Sequence, residues 1–201
     1  MKIERGLLIE LEDILEFHLE GLETISAKFE LLCLIGCMNM IEFIGGIHNG
    51  RLGIRGEEPI RFKEGVRFLG GIYSDSNILG EQRMWELRCA ITHQYIPEIC
   101  DTEVIKVGKV YCVKNPDKKP KEVLANIKDR NRFLLEIKLD KLVSDLKEAS
   151  LRLIKQLRED KGMRDIADKQ FNKLPWIVTP KRLEWMLKEL KKDSDAELGL
   201  I

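Results

Sequence analysis

The chain has 201 residues, 44% of them hydrophobic, which is enough for one compact domain with a real core and a small appendage. Charged residues make up 34% and aromatics only 6%, a composition that favours helices with solvated faces over a sandwich of short strands. The formal net charge is +0, so no global field announces a polyanionic partner.

The charge is uneven along the chain. Residues 1–60 carry 11 acidic and 5 basic side chains, and the surplus of cations lies beyond them. Segment 114–132 holds seven Lys or Arg against three Asp or Glu. Such a segment, which includes Lys118 and Lys119, offers a modest landing patch for nucleic-acid phosphate, or else a solvated loop and helix face. The five cysteines are Cys33, Cys37, Cys89, Cys100 and Cys112. An odd number in a chain of this size, with no signal-peptide pattern at its start, reads as reduced thiols and a cytoplasmic setting. Cys33 and Cys37 share a helix face, but no second Cys or His pair at matching spacing completes a tetrahedral metal site, so they read as core residues. No metal or cofactor is expected.

In chain order, Leu7, Leu8, Leu11, Ile14, Leu15 and Leu22 recur at three- and four-residue steps and predict an amphipathic helix over roughly residues 4–22. His18 falls on the same stripe and reads as a hydrogen-bonded core or boundary histidine. A second helix is expected from about Thr24 to Gly45, stopping at Gly45-Gly46. Its apolar run from Leu31 to Ile44 is interrupted by Asn39 and Glu42 and falls short of a membrane span, so it reads as a buried helix. A turn-rich stretch, His48 to Gly53, follows; it contains glycines but no Gly-Lys-Ser/Thr phosphate loop.

A third helix is expected over residues 60–69, closed by Gly70-Gly71. Ser74, Asp75 and Ser76 offer N-caps for a helix from about Asn77 to His93 or Gln94. Pro97 forbids easy continuation, which places His93 in the last turn. Val104 to Val107 and Val110 to Val113 then suggest a hairpin broken at Gly108, and Arg132 to Leu139 either adds a third strand or opens the next helix. A short helix is expected over Pro120 to Asn131 and a strongly periodic one from Asp140 to about Lys161. Pro180 suits the start of a final helix through Lys192.

The segment Trp85-Glu86-Leu87-Arg88-Cys89-Ala90-Ile91-Thr92-His93-Gln94-Tyr95-Ile96-Pro97 carries the chemistry. Arg88 and His93 lie about 140° apart on an ideal helix and meet only where the last turn lets the histidine swing back. Cleavage of RNA needs a group titrating near neutrality to take the 2′-hydroxyl proton or to protonate the leaving oxygen, and a histidine does this. It also needs charge stabilisation on the phosphate, which a guanidinium gives bidentately. The attacking hydroxyl belongs to the substrate, so neither a metal nor a protein nucleophile is required. Gln94 and Tyr95 stand near enough to help hold substrate. Met84, Trp85, Leu87 and Ile91 read as core or dimer contacts.

The Arg88-x4-His93 pattern, late in a helix preceded by other long helices, resembles the signature of HEPN-domain proteins. The resemblance covers the organisation of roughly residues 4–97 and, in specifics, the motif alone. It implies a HEPN-like helical bundle over residues 1–100; with the strand and helix patterns read above, the chain is expected to be mainly α, with a small β-hairpin or three-stranded element and further helices over 101–201 packed on the same domain. It further implies a metal-independent endoribonuclease of toxin–antitoxin or defence type, acting by 2′-hydroxyl attack, with Arg88 and His93 catalytic. The implied partners are RNA, a second copy in a homodimer whose two Arg–His pairs line one cleft, and an antitoxin or other protein; no membrane is implied. The position after the arginine is often polar in that superfamily and is Cys89 here. That residue favours the alternative: a non-catalytic HEPN-like module binding RNA, nucleotides or a protein.

Overall fold

The structure is a computed structural model describing residues 6–26, 28–76, 78–93, 104–107, 110–113, 134–172, 183–184 and 187–188. The side chains of His93 and of 104–107, 110–113 and 134–136 lie outside that description. The described residues are mainly helical.

Helix α1 (Leu7–Ser26) buries Leu7, Leu11, Ile14, Leu15, Leu19 and Leu22 along one stripe. His18 is exposed rather than part of that stripe, and its Nδ1 lies 2.8 Å from the Ile14 carbonyl, so its own helix supplies its partner. The backbone then breaks: the amides of Lys28 and Phe29 both donate to the Ile25 carbonyl. Helix α2 (Glu30–His48) is apolar nearly all round, as expected of a helix packed on several sides. By length and composition alone it is long enough to cross a membrane, more than its Leu31–Ile44 run suggested; here 56% of its apolar window is buried within the fold.

Helix α2 does not stop at Gly45-Gly46 but runs on to His48. The two glycines serve packing instead. A Cβ at Gly45 would stand 2.0 Å from the Arg61 carbonyl oxygen, and one at Gly65 would stand 1.9 Å from the Ile41 carbonyl oxygen. Helix α3 (Glu58–Leu69) therefore crosses α2 backbone to backbone, with Gly45 and Gly65 at the crossing. Gly70, with φ of 73°, ends α3, and a single turn, α4 (Gly71–Ser74), follows.

Helix α5 is Gly80–His93, shorter at its start than the expected Asn77. The amides of Ile78 and Leu79 donate to the Asp75 carbonyl, so a backbone turn occupies the place where a capping side chain was expected. Met84 and Leu87 are fully buried on its inner face. Strand β1 (Val104–Val107) pairs antiparallel with β2 (Val110–Val113), with Val104 opposite Val113. It also pairs in parallel with β3 (Leu134–Ile137), Val104 opposite Leu134, giving the order β2-β1-β3.

Helix α6 (Leu139–Glu159) is strongly amphipathic and buries Leu142, Leu146, Leu153 and Leu157 against α1 and α2. Asp160 ends it and caps α7 (Lys161–Phe171), its carboxylate accepting from the Met163 amide at 3.0 Å. Tyr73 donates to Asp145 at 2.9 Å, and Arg152 donates to the Phe68 carbonyl at 2.9 Å; these bonds tie α6 to α4 and α3. The expected helices over Pro120–Asn131 and Pro180–Lys192 fall largely outside the described residues.

Candidate functional site at Arg88

Arg88 lies on α5, five residues before the helix's last residue, His93. Its side chain is 13% exposed. The guanidinium is held from two sides. Nη2 donates to Glu42 Oε2 at 3.0 Å, and its central carbon lies 5.0 Å from the Trp85 ring centroid, within range of a cation–π contact. Trp85 is itself set against Phe62, with ring centroids 5.7 Å apart.

Glu42 is shared. Its other oxygen, Oε1, accepts from Arg61 Nη2 at 2.6 Å, and Arg61 Nη1 donates to the Ile54 carbonyl at 2.5 Å. The side chains of Glu42 and Arg61 are 16% and 9% exposed. A chain of charge-assisted hydrogen bonds thus runs from the Ile54 carbonyl through Arg61 and Glu42 to Arg88, joining α2, α3 and α5. At its rim Glu58 stands 3.7 Å from Arg61. The Glu58 carboxyl is held below its usual range by the backbone amides of Glu58 and Gly56, with a further pull from Arg61 and Arg88. Glu42, Arg61 and Arg88 wall an open hollow of about 310 Å³, together with Asn39, Phe43, Leu52 and Gly53.

Helical geometry continues through Thr92 and His93, and Thr92 Oγ1 donates to the Arg88 carbonyl. The last turn is therefore formed as regular helix at the backbone. The backbone positions of residues 88 and 93 keep the roughly 140° separation of a regular helix. The side chain of His93, and all of Gln94, Tyr95, Lys118 and Lys119, lie outside the described residues. Cys89 is half-buried; burial pushes its thiol up, and the neighbouring Arg88 guanidinium pulls it down by less.

Glu42 and Arg61 were not singled out from the sequence. One signal was present: Glu42 is the only acid inside the apolar run Leu31–Ile44. A carboxylate in a helix buried on several sides needs a cation, and that need points outward to an unnamed arginine. Cys33 and Cys37 are buried as expected, with Cys33 Sγ 3.5 Å from the Leu22 carbonyl. Among the described residues no group of three or more His, Cys, Asp or Glu is placed to hold a metal ion. Compared with known protein families, curated proteins and solved structures, the chain finds no match.

Proposed function

We propose that the chain binds RNA and cleaves it without a metal, with Arg88 on the scissile phosphate and His93 as general acid/base. The observation that carries this reading is Arg88 itself: a guanidinium braced by Glu42 and Trp85 at the wall of an open hollow, on the helix that ends in His93. A braced guanidinium costs little further ordering when a phosphate arrives. In the reaction the ribose 2′-oxygen forms a bond to phosphorus while the bond to the 5′-oxygen breaks. One proton leaves the 2′-hydroxyl and one joins the departing 5′-oxygen, so the product carries a 2′,3′-cyclic phosphate. Because helical geometry holds residues 88 and 93 apart around the axis, the phosphate must span them, or the second copy of a homodimer must supply one of the pair.

The test is incubation of a mixed RNA pool in excess chelator with the parent protein, Arg88→Ala and His93→Ala. Cleavage by the parent that falls at least about a hundredfold in both variants is the expected result. A folded parent that leaves every RNA intact sinks the catalytic reading.

One observation favours a second reading. Arg88 is little exposed and already engaged by a carboxylate, an arrangement that also serves as a brace between α2 and α5. With Cys89 next to it, the same surface then belongs to a non-catalytic module that binds RNA, a nucleotide or a protein. RNA binding that survives in His93→Ala, with no cleavage by the parent, would identify that case.

A further inference from the structure

Helices α1 and α6 lie side by side and antiparallel, since Glu12 pairs with Arg158 toward one end and Glu23 pairs with Lys147, at 3.0 Å, toward the other. Between these two ion pairs runs an open groove of about 780 Å³. Leu15, Leu19 and Ile154 line it and are buried. Leu151 also lines it and is 67% exposed. A lone exposed leucine is ordinary. This one stands in a groove between two charged walls.

The walls differ in sign. Helix α1 contains no lysine or arginine, and it gives the groove Glu12, Glu16, Glu20 and Glu23. Helix α6 gives it Lys147, Lys155 and Arg158 against one acid, Glu159. A face divided in this way selects its partner by symmetry. Two copies can meet on this face about a twofold axis in two ways. An axis running across the helices stacks α1 on α1 and sets four glutamates against four. An axis parallel to the helices stacks α1 of each copy on α6 of the other. It opposes the acidic wall to the basic one at both contacts, with every neighbouring pair of helices antiparallel. Leu151 of each copy then lies over Leu15 and Leu19 of the other.

We propose that the α1/α6 face is the contact of a homodimer in this second arrangement. The face shares no residue with the hollow at Arg88, so such a dimer leaves that hollow open and does not rest on the ribonuclease reading. Helices of 20 and 21 residues with axes about 10 Å apart present roughly 600 Å² per copy. That is somewhat less than the roughly 800 Å² per partner of a standard stable interface. The dimer therefore dissociates on dilution and weakens with added salt.

The test is sedimentation equilibrium of the full chain over a wide concentration series, with Glu16→Lys/Glu20→Lys and Lys147→Glu/Lys155→Glu studied alone and mixed. The first variant sets lysines at 16 and 20 beside its own basic wall, and the second has two acidic walls. Each alone is expected to dimerise at least about tenfold more weakly than the parent. Their mixture is expected to form the heterodimer with affinity near the parent's, because at both contacts positions 16 and 20 again carry charge opposite to that at 147 and 155. Leu151→Glu, at an exposed position that leaves the fold untouched, is expected to weaken the parent dimer as well and covers the case in which a double reversal unfolds. A parent that stays monomeric at every concentration overturns the proposal. So does a parent dimer indifferent to Leu151→Glu and to both reversals, since the contact then lies on another face.

Discussion

Replacing Glu42 by alanine leaves Arg61 and Arg88 side by side without the carboxylate they share. Their side chains are 9% and 13% exposed, so water reaches them poorly and cannot replace the lost acceptor. Removing one member of such a buried ion cluster costs about 3–5 kcal/mol, mostly the penalty of buried charge that Glu58, 3.7 Å from Arg61 at the rim, offsets only in part. For a chain of this length each kcal/mol lowers the melting temperature by about 2–4 °C, which gives a fall of about 6–20 °C. Thermal unfolding followed by circular dichroism measures it, and urea unfolding with an unchanged m-value would show that the denatured state is not the cause. The companion variant Glu42→Leu/Arg61→Met/Arg88→Met removes all three charges, and much of the loss is expected to return because the desolvation cost disappears with them. A loss below about 1 kcal/mol in Glu42→Ala would refute the reasoning, since it would place the cluster in effectively bulk solvent.

Further outcomes follow from the same structure. Gly65→Ala is expected to cost about 3 kcal/mol or more in urea unfolding, because its Cβ would stand 1.9 Å from the Ile41 backbone oxygen, where no side-chain rotation relieves the clash. Burial, and then the hydrogen bond to Asp145, push the Tyr73 phenol above its ordinary 10.0. The unfolded chain thus loses this proton first, and stability that is intact below pH 10 falls as pH rises above it; Tyr73→Phe is expected to flatten that part of the alkaline profile. Burial also raises the Cys89 thiol, so iodoacetamide mapped by mass spectrometry at pH 7 is expected to label it more slowly in the folded protein than in urea.

The helical core was legible because it is written in local periodicity. The stripe Leu7, Leu11, Ile14, Leu15 and Leu22 reports which face of α1 is buried, and the apolar run Leu31–Ile44 reports a helix covered on several sides. Helix ends were read less well, since they depend on neighbours. Gly45-Gly46 has the composition of a stop, yet it lies inside α2 because α3 comes too close there to admit a Cβ. Asp160 looked like helix interior, yet it separates α6 from α7 and caps the second.

At the candidate site the sequence by itself determined the placement of Arg88 and His93 late in one helix, because chain proximity and Pro97 suffice for that. Only the tertiary structure decided what holds Arg88. Its carboxylate partner is 46 residues away and that carboxylate's second arginine lies 19 residues from it, separations at which no spacing rule operates. The opposed walls of α1 and α6 were hidden for the same reason. Composition shows an acidic first segment and a basic remainder, but which charges face one groove is settled only when the helices pack, because burial of their apolar stripes fixes how each helix is turned.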